Sequence, residues 1–252
     1  MEHINLIESQ LIDLKLAGIR SSLSRRLAEA SEASLSHTEF LNLVLQDEIT
    51  NRKNARIERL QRSAGFRSQA SCEGIDFAFP RGLSKKVILD VASGTYIDDG
   101  RNILILGPTG VGKTHIATAI GNTACRNGRS VLFLRMNTLI ERTALSRAQG
   151  TWLNYLRKLA APEVLILDDF GIKPLTPQQF QDLYDVIDER GEGKSIIITS
   201  QVPVNNWSEV IADPVVCEAI SDRIVHKSQV IQMKGESYRK NKKNNLTQTD
   251  PL

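Results

Sequence analysis

Apolar side chains fall at Ile4, Ile7, Leu11 and Leu14, and again at Ile19, Leu23 and Leu27. Spacings of three and four put such residues on one helical face, and the interruption at Gly18 predicts a helix pair or a bent helix. Ser36 followed three positions later by Glu39 is a capping-box pattern, in which each side chain satisfies the other's free backbone N–H at a helix start. The apolar run Phe40 to Leu45 and a polar, basic continuation to about Arg62 extend that helix. An all-helical domain is therefore expected over 1–66. From 67 to 80 apolar content falls while Ser, Gly and Pro accumulate, which is the composition of a linker.

Beyond the linker the period changes. Runs rich in Ile, Val and Leu recur at Asn102–Leu106, Val131–Leu134, Val164–Leu167, Ser195–Thr199 and Val230–Met233. Runs that are apolar throughout, rather than alternating, suit strands covered by helices on both faces. Helix signals lie between them. Thr176, Pro177 and Gln179 mark a start, Phe180, Leu183 and Ile187 share one face, and Gly191 ends the element. Asp213 with Pro214 starts another helix, carrying Val216, Ile220 and Ile224. The expected fold class is α/β, a five-stranded parallel sheet flanked by helices over 81–235. After Glu236 the chain turns polar and basic, and 236–252 is expected to be a frayed, disordered tail.

Composition narrows the functional classes. With 252 residues, 41% hydrophobic and 24% charged, the chain can bury one sizeable domain and a small one, and a disordered or fibrous protein is excluded. A net charge of +3 is too small to draw the whole molecule to a polyanion, so any such site must be local. Cys72, Cys125 and Cys217 lack the paired spacing of a zinc site or disulfide framework, and His3, His37, His115 and His226 form no metal constellation. The opening MEHINLIESQ lacks a positive n-region and an apolar h-region, and no apolar stretch approaches the roughly 18 residues that span a bilayer. A soluble cytoplasmic protein without a membrane partner is expected.

One motif carries chemistry. Gly107, Pro108, Thr109, Gly110, Val111, Gly112, Lys113 and Thr114 satisfy G-x-x-x-x-G-K-[ST] between a strand and a helix running from Lys113 to about Arg126. Glycines let the backbone fold around phosphates, so that N–H groups and the positive helix end face the anion. Lys113 supplies a charge for the β- and γ-phosphates of ATP, and the Thr114 hydroxyl a ligand for Mg2+. The strand Val164–Leu167 ends in Asp168 and Asp169. A carboxylate at the end of a buried strand is placed to hold Mg2+ beside the loop, and the next can orient the attacking water. These roles fall to Asp168 and Asp169 respectively. There is no nucleophile-base-acid arrangement for acyl transfer, and no acid cluster beyond this pair to suggest a nuclease.

From about Ser71 to Arg239 the sequence resembles the AAA+ ATPases that include IstB transposition helpers and DnaC-type helicase loaders. The resembling pieces are GPTGVGKTH, LILDDFG, IIITSQVPVNNW and DPVVCEAISDRIVHKSQVIQMKGESYR, the last most similar to IstB. The resemblance implies a γ-phosphate sensor at Ser200 or Gln201, an arginine projected into a neighbouring subunit's site at Arg223, and a nucleotide contact at Arg239, with His115 closing the loop motif. It implies a homo-oligomer, ring or spiral, on double-stranded DNA, which serves a separate transposase. Two departures stand out: aspartate rather than glutamate at 169, and too little chain after Met233 for the usual helical lid.

Two basic stretches are candidate DNA contacts. Arg135, Arg142, Arg147, Arg157 and Lys158 face a single acid, Glu141, and in the resembling family this region lies toward DNA. Arg52, Arg56 and Arg59 share a helical face with Lys53 nearby. Charge runs on helices are usually solvated faces, whereas phosphate contacts would give salt-sensitive, sequence-blind affinity. Trp152 and Tyr155 are read as packing residues. Beside the transposition helper stand a helicase loader, a small-molecule P-loop kinase that needs no shared arginine, and a nucleotide-binding scaffold that does not hydrolyse.

Overall fold

Three helices open the chain, α1 (Glu2–Asp13), α2 (Ala17–Glu32) and α3 (His37–Ser63), in a computed structural model that describes residues 2–238 apart from Glu192 and Ala212. The side chain of His3, Arg239 and the 239–252 part of the expected tail lie outside the described residues. The chain divides into two compact units between Arg59 and Leu60.

In the first unit, Leu11, Ile19, Leu23 and Val44 form a small core, with Leu16, Leu27 and Phe40 against it. The periodicity predicts the helices but misplaces their break. Lys15 turns left-handed at φ 56°, and Leu16 N–H closes back on Leu11 O at 2.8 Å, so the first helix ends before Gly18. Gly18 lies inside α2 for a packing reason: a Cβ there would come within 2.7 Å of Glu48 Cα and 2.8 Å of Asp47 O on α3. Glu48 takes advantage of that closeness, accepting from Gly18 N at 2.7 Å and Ile19 N at 3.2 Å and so capping α2 from a neighbouring helix. Arg26 grips Asp47 through two bonds of 2.8 Å and holds its carboxyl well below the usual carboxylate range.

The second unit contains α4 (Lys85–Ser93), the short α5 (Thr95–Asp98), β1 (Asn102–Leu106), α6 (Lys113–Arg126), β2 (Val131–Arg135), α7 (Met136–Ala148), α8 (Trp152–Ala160), β3 (Val164–Phe170), α9 (Pro177–Arg190), β4 (Ser195–Ser200), a 3-10 turn (Val204–Glu209), α10 (Pro214–Val225) and β5 (Ser228–Gln232). The strands form one parallel sheet in the order β2-β3-β4-β1-β5. Thr176 and Gln179 make the expected capping box, and Asp213 caps α10 through Val215 N and Val216 N. The fifth strand begins two residues before the expected position, because pairing with β1 runs from Asn102↔Ser228 to Leu106↔Gln232.

The continuous apolar runs resolve into two cores. Ile103, Ile105, Val131, Phe133, Val164, Ile166, Ile197 and Ile231 face one side with α6, and Leu104, Leu106, Leu134, Leu165, Leu167, Ile196 and Ile198 face the other with α7 to α10. Strand side chains alternate, so covering both faces demands an apolar residue at every position. The 67–80 stretch, expected as a linker, contributes Cys72 and Ile75 to the first core. Arg190 is buried yet donates to Leu159 O, Pro162 O, Glu163 O and Ser195 O, and burial lowers its pKa to about 10. It ties the amino-terminal end of β4 to the loop before β3.

Candidate functional site

In a parallel sheet all strands end at the same rim, where ligands of such folds bind. Here that rim gathers Gly107 after β1, Asp168 and Asp169 on β3, and Thr199 to Gln201 at the end of β4. Gly107, Gly110 and Gly112 have φ of 153°, 84° and 101°, a region that side chains oppose, and Gly112 leads directly into α6. Lys113 is buried, and its Nζ donates at 2.8 Å to both Gly107 O and Pro108 O, which places the ammonium inside the loop.

The Thr114 hydroxyl donates to Asp168 at 2.9 and 3.2 Å, joining the first turn of α6 to the end of β3. Asp168 is fully buried and also accepts from Thr199 Oγ1 at 2.6 Å, while Arg135 Nε stands 4.0 Å from its other oxygen. Burial pushes the Asp168 carboxyl above the usual range, with Asp169 adding repulsion and Thr199, Thr114 and Arg135 pulling the other way. A carboxylate that is costly to ionise beside a hydroxyl, at a loop built for anions, suits a Mg2+ ion, which takes one or two carboxylates and completes its shell with phosphates and water. Among the described residues no three of His, Cys, Asp and Glu gather to hold a metal by themselves. Asp169 adopts φ 63° at a bulge where pairing with β4 shifts between Leu167 and Phe170, and its N–H donates to Thr199 Oγ1 at 2.9 Å.

Thr199, which sequence reasoning passed over, is thus the residue of β4 that contacts both aspartates. Of the two sensor candidates, Ser200 is buried, donates to Phe170 O at 2.8 Å and accepts from Val202 N at 3.0 Å, a structural commitment. Gln201 instead reaches the loop, accepting from Thr109 Oγ1 at 2.6 Å. The polar run Thr199-Ser200-Gln201 signals the region. Only the strand register and the bulge at Asp169 single out Thr199.

A second wall comes from outside the motifs. Met233 N donates to Leu106 O at 2.7 Å, Lys234 N to Arg81 O at 2.9 Å and Tyr238 N to Gly110 O at 3.0 Å. A Cβ on Gly107 would meet Met233 O at 2.4 Å, and one on Gly110 would meet Ser237 Oγ at 2.3 Å. Residues 236–238, expected as the start of a loose tail, are therefore seated on the phosphate loop. Phe79 meets the Tyr238 ring edge-on at 5.0 Å, and the Arg81 guanidinium lies 5.0 Å from that ring's centre.

Other predicted residues lie elsewhere. Arg223 is near the opposite end of β1, where Asn102 Nδ2 donates to Arg223 O and Ile224 O at 3.2 Å. Its guanidinium pairs with Asp188, stacks 4.8 Å from the Tyr184 ring centre, and lines a cavity of about 430 Å3 with Arg190, Lys194 and His226. Arg147 is bound to Asp182 at 2.6 Å and Asp185 at 3.3 Å and covers Trp152, which makes it a strut. Arg52 pairs with Glu48 at 2.7 Å. Lys53, Arg56, Arg59, Arg142, Arg157, Lys158 and His115 are exposed.

Comparison with known proteins agrees with this geometry. The fold is similar to that of the DnaC helicase loader (TM-score 0.53, 23% identity, 64% of this chain and 96% of that one). The AMPPCP-bound DnaA of Aquifex aeolicus is also similar (TM-score 0.58, 19% identity, 74% of this chain and 57% of that one), so the fold is that of the AAA+ ATPases. An insertion-sequence ATP-binding protein of Sinorhizobium fredii is 38% identical over 93% of this chain and 96% of its own length. One of Mycobacterium tuberculosis is 37% identical over 94% and 95%. The IS21 ATP-binding protein of Pseudomonas aeruginosa is 33% identical over 92% and 88%. The family model described as IstB-like ATP binding protein matches residues 9–246, and this chain belongs to that family.

Proposed function

We propose that this chain is a Mg2+-dependent ATPase that assembles with copies of itself on double-stranded DNA, presents target DNA to a separate transposase and activates it, with hydrolysis driving disassembly. The observation that carries this reading is the bond between Thr114 and Asp168, which brings the phosphate loop and a buried carboxylate to one point. Lys113 and the first N–H groups of α6 bind the phosphates, Thr114 and Asp168 hold the metal, and Asp169 orients the attacking water. Bound magnesium supplies positive charge against the terminal phosphates. Gln201 joins the loop through Thr109 and reads its state.

Arg223 supports shared sites. It is held at the sheet end opposite Lys113, so within its own subunit it does not join the phosphates, whereas a neighbour's site can meet it. An arginine supplied in trans contributes about 10³–10⁵ in rate in other phosphoryl-transfer systems. A P-loop kinase would not need that arrangement. The insertion-sequence relatives favour a transposase client over a replicative helicase, although the likeness to the DnaC loader keeps the loader as the second reading. Exposed Arg157 and Lys158, with Arg142, offer DNA contacts on α7 and α8. ATPase rate measured against DNA concentration, with gel filtration in ATP and in ADP, tests the reading. DNA-stimulated turnover by an ATP-dependent oligomer is expected, and a monomer indifferent to DNA and nucleotide would defeat it.

A further inference from the structure

Arg81 lies in none of the motifs, yet it is 2% exposed and touches the phosphate loop. Its Nη1 donates to Val111 O at 3.2 Å and its Nη2 to Asp76 O at 2.9 Å, whereas its buried Nε has no partner among the described residues. A Cβ on Gly112 would come within 2.8 Å of Nη1, so the glycine that starts α6 also makes room for this guanidinium. No carboxylate pairs with Arg81 among the described residues. The Tyr238 ring 5.0 Å away supplies attraction but no negative charge.

Arg190 provides the internal contrast. It is buried to a similar degree and its Nε is likewise without a partner among the described residues, but its two Nη groups donate to four backbone carbonyls, and it lies at the other end of the sheet. Arg81 has only two carbonyls for its Nη groups, and it stands against the phosphate loop, where a polyanion would bind. A buried cation without a counter-charge is unfavourable until an anion arrives.

We infer that Arg81 is a positioning residue of the nucleotide site, a buried charge that holds the Val111–Gly112 turn and is balanced by the phosphates of the bound nucleotide. The inference rests on the ATP-binding reading above and adds a phosphate-directed charge supplied from the chain before α4. Unit charges a few Å apart at protein dielectric interact strongly enough to change a binding constant about tenfold or more.

The test is calorimetric titration of the full-length protein with ADP, alongside thermal unfolding without nucleotide, for wild type, Arg81→Gln, Arg81→Lys and the control Arg190→Gln. Arg81→Gln should weaken ADP binding about tenfold or more without lowering the nucleotide-free melting temperature, because it removes an unbalanced charge. Arg81→Lys should stay within about threefold of wild type. Arg190→Gln should lower the melting temperature and leave ADP affinity unchanged. The inference is overturned if Arg81→Gln binds ADP like wild type, if it loses stability or fails to fold, or if Arg81→Lys is as weak as Arg81→Gln, since geometry rather than charge would then be at stake. Wild-type protein that ignores ADP would overturn the nucleotide reading itself, and this inference with it.

Discussion

Replacing Thr199 with valine keeps the shape of β4 and removes one hydroxyl, the group that donates to Asp168 at 2.6 Å and accepts from Asp169 N at 2.9 Å. A hydrogen bond to an ionised group contributes about 1.5–3 kcal/mol, and a buried amide left unsatisfied costs about 1–3 kcal/mol. Since Asp168 keeps Thr114 and Asp169 is only half-buried, the lower half of each range applies, and Thr199→Val should lose about 2.5–4 kcal/mol at neutral pH. The loss should depend on pH. Burial already raises the Asp168 pKa, and Thr199 lowers it, so the variant's carboxyl should rise further. With a folded pKa above the unfolded one, the fold favours protonated Asp168. That contribution is whole below the ordinary carboxylate value and is lost as pH climbs through the raised value. The deficit of the variant is therefore greatest at neutral pH and shrinks as Asp168 protonates. Urea unfolding of both proteins from pH 7 down to about 5, at unchanged slope, measures it. ATPase assays over the same range should show the acidic limb displaced upward in the variant. Stability within about 0.5 kcal/mol of wild type at pH 7, together with a superimposable pH profile, would refute Thr199 as the support of Asp168.

Other outcomes follow from single contacts. Gly18→Ala forces α2 and α3 apart, an overpacking cost of about 1–3 kcal/mol against a helix-propensity gain of about 1 kcal/mol, so a net loss of up to about 2 kcal/mol is expected in thermal unfolding. Arg147→Ala should lower stability by about 1–2 kcal/mol, because it deprives buried Asp182 of its cation, while leaving the salt dependence of DNA binding unchanged. Arg157→Ala and Lys158→Ala should each flatten the slope of log affinity against log salt by about 1, and an unchanged slope would remove α8 from the DNA surface. Arg223→Ala and Lys113→Ala should each abolish turnover, and an equal mixture should regain about a quarter of wild-type activity if sites form between neighbours. No recovery on mixing would confine the site to one subunit.

Much of this protein is local and therefore legible in sequence. The strand run Asn102–Leu106, the glycine-rich loop and Lys113 are contiguous, and backbone geometry at φ values that only glycine adopts easily fixes what such a stretch does. The capping residues at Ser36, Thr176 and Asp213 behave the same way, since a cap is a contact across two or three positions. Continuous apolar runs established that helices cover both sheet faces, because alternation alone decides which core each residue joins.

Tertiary structure decided whatever depends on contacts between distant positions. No local signal shows that Gly18 serves the approach of α3 rather than a helix break, or that Arg147 is taken up by Asp182, 35 positions away. Thr199 outranks its neighbour Ser200 because a bulge at Asp169 turns one hydroxyl toward the aspartates and leaves the other on backbone. The second wall of the loop, Arg81 with Ser237 and Tyr238, joins segments more than 150 positions apart. Sequence patterns record what a residue needs from its immediate neighbours, whereas burial of a charge or the choice of its partner is set only when remote segments close on it and exclude water.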